Sequence, residues 1–190
     1  MTQAIASQKP FESDRDTASP NRNLTPVTTT LDDQDRLVVG GCRLSELAER
    51  YGTPLYVIDE ETVRSTCRAY REALIRHYPG PSLPVYASKA NSSLLMSSIA
   101  ASEGLGLDAV SAGELLTALQ GGMPGERMVL HGNNKNDEEL LLAFNNGVTI
   151  VVDNQHDLER LAELVPADGP PARLMLRFTP GIECHTHEYI

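Results

Sequence analysis

A lysine with small neighbours, placed just past the end of an apolar run, has the type and setting of an amine nucleophile. Lys89 fits: it follows the apolar residues 84–87 and is flanked by Ala87, Ser88 and Ala90. An amine attacks a carbonyl carbon only when neutral, and a partly desolvated site lowers its pKa. Small flanking residues leave space for a planar partner beside the backbone. Taken alone, however, a lysine after a strand is more often a solvated loop residue.

Three other groups fall at equivalent places. Asp108 lies on the next apolar run and is followed by Ser111-Ala112-Gly113-Glu114. That segment reads either as a capping box, with Ser at the N-cap and Glu three residues on, or as a ligand-facing rim. His131-Gly132-Asn133-Asn134-Lys135 follows a third run. Asn136 and Glu139 can cap the helix behind it, which leaves His131 and its glycine without a structural explanation. Arg177 closes the last run before Pro180-Gly181. Cys184, His185, His187 and Glu188 invite a metal reading, but one Cys with His-x-His matches no closed zinc spacing, and no metal is expected.

The elements that must position these groups alternate between strand and helix. Apolar runs predict strands over 37–39, 55–58, 84–87, 106–110, 128–131, 148–152 and 173–178. Helical periodicity predicts helices over 42–50, 60–77, 92–103, 113–120, 137–145 and 155–164, with Gly104, Gly121 and Gly147 after helix ends. The strands are apolar on both faces, as in a parallel sheet covered by helices, so the fold class is α/β. In such folds the carboxyl edge of the sheet holds the ligand, and Lys89, Asp108, His131 and Arg177 all fall there. The strand spacing suits either a complete open sheet or the first part of a closed barrel, and periodicity does not choose between them. Residues 1–35 are polar and aperiodic and read as a disordered extension, leaving 36–190 as the folded part.

Composition narrows the partners. With 26 acidic and 16 basic residues the chain carries a net charge of −10, which disfavours nucleic acid and anionic membranes. Trp is absent, and no apolar run has the length of a membrane helix. The 3 cysteines form no paired pattern, which fits reduced thiols in a cytoplasmic protein.

In order, the segments are more specific than any one alone. Tyr86-Ala87-Ser88-Lys89-Ala90-Asn91 resembles the lysine motif of the fold-type III pyridoxal-phosphate decarboxylases. The stretch from Gly104-Leu105-Gly106-Leu107-Asp108 to Ser111-Ala112-Gly113-Glu114-Leu115 looks like that family's next block. His131-Gly132-Asn133-Asn134-Lys135, Arg177-Phe178-Thr179-Pro180-Gly181 and His185-Thr186-His187-Glu188-Tyr189-Ile190 are similar to the diaminopimelate decarboxylases in particular.

The resemblance implies an alanine-racemase-like (β/α)8 barrel of the TIM type, present here as its N-terminal part. It implies pyridoxal 5'-phosphate as cofactor and decarboxylation of meso-2,6-diaminopimelate to L-lysine. Lys89 would carry the cofactor in a Schiff base and act in proton transfer, with Asp108, Glu114, His131 and Arg177 at family positions near the cofactor. The expected partners are a small amino-acid substrate and, for the full-length protein, a second copy in a homodimer. Family members are more than twice as long. The chain is therefore expected to be an N-terminal fragment or truncated product, inactive alone. Nearer alternatives are decarboxylation of ornithine, arginine or carboxynorspermidine, and a non-catalytic binding role.

Overall fold

The computed structural model describes residues 9–10 and 24–181, and falls into two compact units, Met1–Ala69 and Tyr70–Ile190. In the first unit, β1 (Lys9–Pro10), β2 (Thr30–Leu31), β3 (Leu37–Val39) and β4 (Cys42–Arg43) form an antiparallel sheet in sequence order. Helix α1 (Leu44–Tyr51) follows. The hairpin from β3 to β4 turns on Gly40 and Gly41, both at positive φ (56° and 79°), the conformation a two-residue turn of the right twist demands.

Three expectations differ from this arrangement. Residues 24–35, inside the stretch expected to be disordered, include a paired strand and a turn. The turn is organised by Asp32: its carboxylate accepts from the backbone N–H of Gln34 (2.9 Å) and Arg36 (3.0 Å) and from both Arg36 Nε and Arg43 Nε (2.9 Å each). One side chain meeting two backbone donors and two cations outweighs the polar composition around it. Secondly, Cys42 and Arg43 pair with Val39 and Val38 instead of opening the helix. Thirdly, residues 55–58 form no strand: Tyr56 is 97% exposed and no described residues pair with the run. An apolar run becomes a strand only where another strand accepts its hydrogen bonds.

Helix α2 (Glu60–His77) begins at Asp59, whose Oδ2 accepts the backbone N–H of Thr62 at 2.9 Å, the geometry of an N-cap.

The second unit repeats strand then helix. Its strands are β5 (Val85–Ala87), β6 (Gly106–Ala109), β7 (Met128–Leu130), β8 (Thr149–Val152) and β9 (Leu174–Leu176). Between them lie α3 (Leu94–Ser102), α4 (Ala112–Gln120), α5 (Asp137–Asn145) and α6 (Gln155–Leu164). All neighbouring pairs are parallel, and the spatial order is the sequence order. A doubly wound sheet reverses direction at a switch point, whereas here every new strand adds on the same side. The helices accordingly pack in a row, α3 on α4, α4 on α5 and α5 on α6. This is the winding of a β/α barrel, of which the described residues supply five strands.

Alternation along the strands separates two faces. Leu107, Ala109, Met128, Leu130 and Ile150 are fully buried against the helix layer together with Leu115 and Leu140. Each large side chain so buried contributes about 1.5–3 kcal/mol. Ala87, Asp108 and Val129 lie in register on the other face. Gly106 is required on β6, because a Cβ there would stand 2.3 Å from the carbonyl oxygen of Arg127. Strand β9 is exposed at all three residues, between 42% and 71%. Among the described residues no helix is long and apolar enough to cross a membrane.

Candidate functional site

Each strand of the second unit hands a polar residue to the same edge of the sheet. After β5 the backbone makes a 3₁₀ turn, Ser88–Ala90, that carries Lys89. The turn is framed by its own motif: Tyr86 donates its hydroxyl to the carbonyl of Asn91 (3.0 Å), and Asn91 Oδ1 accepts the N–H of Ser93 (3.0 Å). Ser93 then caps α3. The aromatic and amide residues beside Lys89 therefore hold the loop. The exposed Lys89 ammonium has no hydrogen bond or ion pair among the described residues.

Asp108 sits on β6 between Ala87 and Val129 of the neighbouring strands. Its Oδ1 is buried without a hydrogen-bond partner among the described residues. His131 Nε2 stands 3.6 Å from that oxygen, near enough to interact electrostatically but too far for a hydrogen bond. His131 continues the sheet through its N–H, bonded to the carbonyl of Ala109 at 2.8 Å, and the chain then turns at Gly132 with φ of +115°. Arg177 leaves β9 with its N–H on the carbonyl of Val152 (3.0 Å). Its guanidinium, 64% exposed, meets Asp153 Oδ1 at 3.2 Å.

Lys89, Asp108, His131 and Arg177 line one cavity of about 290 Å³, with Asn133 and Val110 completing its wall. Four of the five residues expected near a cofactor are thus brought together. Glu114 is not: its carboxylate accepts the backbone N–H of Val110 at 2.6 Å, while Ser111 Oγ accepts the N–H of Glu114 at 3.3 Å. Ser111 thus caps α4, while the Glu114 carboxylate is taken up by the N–H just before that cap; Asn136 and Glu139, by contrast, form a complete capping box on α5.

Sequence reasoning missed Asp153, Asp157 and Lys135. Lys135 is the surprise, since a lysine in a polar run reads as solvated, yet its side chain is 1% exposed and paired with Asp157 at 2.7 Å. No local signal marks it. A larger hollow in the first unit is lined by Val39, Leu47, Val57 and Ile58, but its carboxylate, Asp59, is already engaged by Thr28 and Thr62. Cys184, His185, His187 and Glu188 lie outside the described residues.

The cavity thus offers a free amine, a buried acceptor oxygen lacking a donor, an imidazole and a guanidinium. An aldehyde-bearing, anionic cofactor would fit two of these groups, amine to carbonyl and guanidinium to an anionic group.

A family model described as "Pyridoxal-dependent decarboxylase, pyridoxal binding domain" matches residues 60–190. The chain is 47% identical to diaminopimelate decarboxylase of Synechocystis sp. over 180 residues, which cover 90% of this chain and 38% of that protein. It is 44% identical to the enzyme of that name from Bacillus subtilis, over 86% of this chain and 37% of the relative. Among solved structures, diaminopimelate decarboxylase from M. jannaschi superposes with a TM-score of 0.75 at 34% identity, covering 84% of this chain and 38% of that one. The chain spans less than two fifths of the length of the relatives it matches.

Proposed function

The chain belongs to the pyridoxal-dependent decarboxylases, and from that premise we propose that it forms the N-terminal part of the cofactor-binding barrel of a diaminopimelate decarboxylase. The reaction would convert meso-2,6-diaminopimelate to L-lysine and carbon dioxide. The observation that carries the reading is the convergence of Lys89, Asp108, His131 and Arg177 on one cavity, in a chain 47% identical to an enzyme of that name.

Pyridoxal 5'-phosphate, when bound, supplies an electron sink for the charge left by loss of carbon dioxide. The chain's residues divide the remaining work. Lys89 is the one cavity residue with an amine, and its side chain is free to hold the cofactor's carbonyl carbon and to move a proton at Nζ. Asp108 Oδ1 is an acceptor awaiting a donor. His131 faces that oxygen from the next strand. Arg177, steadied by Asp153, presents positive charge to an anionic group. The rest of the barrel and any further domain would come from the part of the relatives that this chain does not span. The reading extends to a homodimer in the cytoplasm for the full-length protein.

The test takes the full-length protein with pyridoxal 5'-phosphate, fixes the cofactor with borohydride and maps the modified peptide by mass spectrometry. Carbon dioxide release is then measured from diaminopimelate, ornithine, arginine and carboxynorspermidine. The expected result is label on Lys89 and preference for diaminopimelate. Label on another lysine, or preference for a different amino acid, overturns the corresponding half of the proposal. Lys89→Ala should abolish the fixed label and lower carbon dioxide release by at least about a thousandfold.

A further inference from the structure

Lys135 and Asp157 form an ion pair in which both side chains are 1% exposed, at 2.7 Å. Taking two charges out of water is costly, and a well-packed apolar pair often stabilises a fold as well or better. The pair therefore calls for a reason besides stability, and its hydrogen bonds supply one. Lys135 Nζ also donates to the carbonyl of Gly132, the residue after His131. Asp157 Oδ2 also accepts the backbone N–H of Asp153 at 3.2 Å, and Asp153 is the residue that holds Arg177. One buried contact thus grips the backbone next to His131 and the backbone of the residue that steadies Arg177. A second tie joins the same two loops, from Asn154 Nδ2 to the carbonyl of Asn133 at 3.2 Å, while Asn154 Oδ1 caps α6 through the N–H of Asp157.

We propose that Lys135 and Asp157 are positioning residues, which set the His131 and Arg177 walls of the cofactor cavity by locking the loop after β7 to the loop after β8. Neither residue lines the cavity, so both act through others. A charged pair suits this task better than an apolar one. Its donors and acceptors fix direction as well as distance, so Gly132 at φ +115° is held in one conformation. The proposal rests on the cavity being the cofactor site.

The test uses the full-length protein with pyridoxal 5'-phosphate and compares wild type, Asp157→Asn and the double variant K135M/D157L, in which apolar side chains fill the same space. Three quantities are read: the thermal midpoint without cofactor, the cofactor Kd by equilibrium dialysis, and the visible circular dichroism of bound cofactor, which reports how its ring is held. The double variant is expected to keep the wild-type midpoint within a few degrees. It should bind cofactor about tenfold more weakly, with an altered dichroic band. Asp157→Asn should shift Kd and the band in the same direction. Wild-type Kd and dichroism in the double variant overturn the proposal and leave the pair as packing. If the double variant does not fold, the same two readouts on Asp157→Asn decide, and their constancy overturns it. If wild type itself takes up no cofactor, the reading of the cavity has failed, a result distinct from a wild type that binds and a variant that binds equally.

Discussion

Lys89 and Glu114 look equivalent as motif residues, each at the carboxyl edge of the sheet beside small neighbours. Their surroundings separate them. Lys89 has no partner among the described residues and lines the cavity, whereas the carboxylate of Glu114 is occupied by the N–H of Val110 at 2.6 Å. A carboxylate already bonded to the backbone before the helix has little left to offer a ligand. Glu114→Ala is therefore expected to cost about 1 kcal/mol of stability, as a lost hydrogen bond does, with cofactor affinity unchanged. Denaturant midpoints and equilibrium dialysis check the two halves separately, and a tenfold loss of affinity without loss of stability would return Glu114 to the cofactor site.

Two devices hold whole elements in place. Gly106 lets β6 approach the backbone beside β7, where any Cβ would meet the Arg127 carbonyl oxygen at 2.3 Å. Real side chains do not reach that separation, so Gly106→Ala must displace β6, the strand that carries Asp108. A loss of about 2–3 kcal/mol is expected from equilibrium unfolding, with weaker cofactor binding beside it. In the first unit, burial by itself would raise the pKa of Asp32. The N–H groups of Arg36 and Gln34 and the guanidiniums of Arg36 and Arg43 outweigh burial and hold the carboxyl well below its usual range. A depressed folded value means the ionised form stabilises the fold. That contribution is complete above the unfolded value of about 4 and is lost as pH falls through and below it. Wild type should thus exceed Asp32→Asn in unfolding midpoint at pH 7, and the gap should narrow from about pH 4 downward. A gap that widens on acidification would contradict the assignment.

At the scale of the molecule, the five-stranded sheet presents β9 with Leu174, Met175 and Leu176 all exposed, and Phe178 80% exposed just beyond it. An exposed apolar edge that no described strand covers recruits other strands. Its net charge of −10 opposes this, but only while the charge is unscreened. The 190-residue chain is therefore expected to self-associate as salt is raised from low to about 0.5 M, and Leu176→Lys should reduce that association severalfold in light scattering. No change with either salt or the substitution would point to a different surface.

The sequence by itself determined what depends on a few adjacent residues. The five parallel strands of the described second unit and the helices between them, the caps at Ser111 and Asn136, and the edge on which Lys89, Asp108, His131 and Arg177 fall were all legible from periodicity and capping chemistry. Only the tertiary structure decided what depends on distant partners. Strand order settled barrel against open sheet, because local spacing is alike in both. The run 55–58 has no strand partner among the described residues, and Asp32 ordered a segment whose composition suggested disorder. Lys135 became a buried ion partner through Asp157, twenty-two positions away. Burial and pairing are properties of the assembled chain, and Lys89 acquired its cavity only when four strands had brought their ends together.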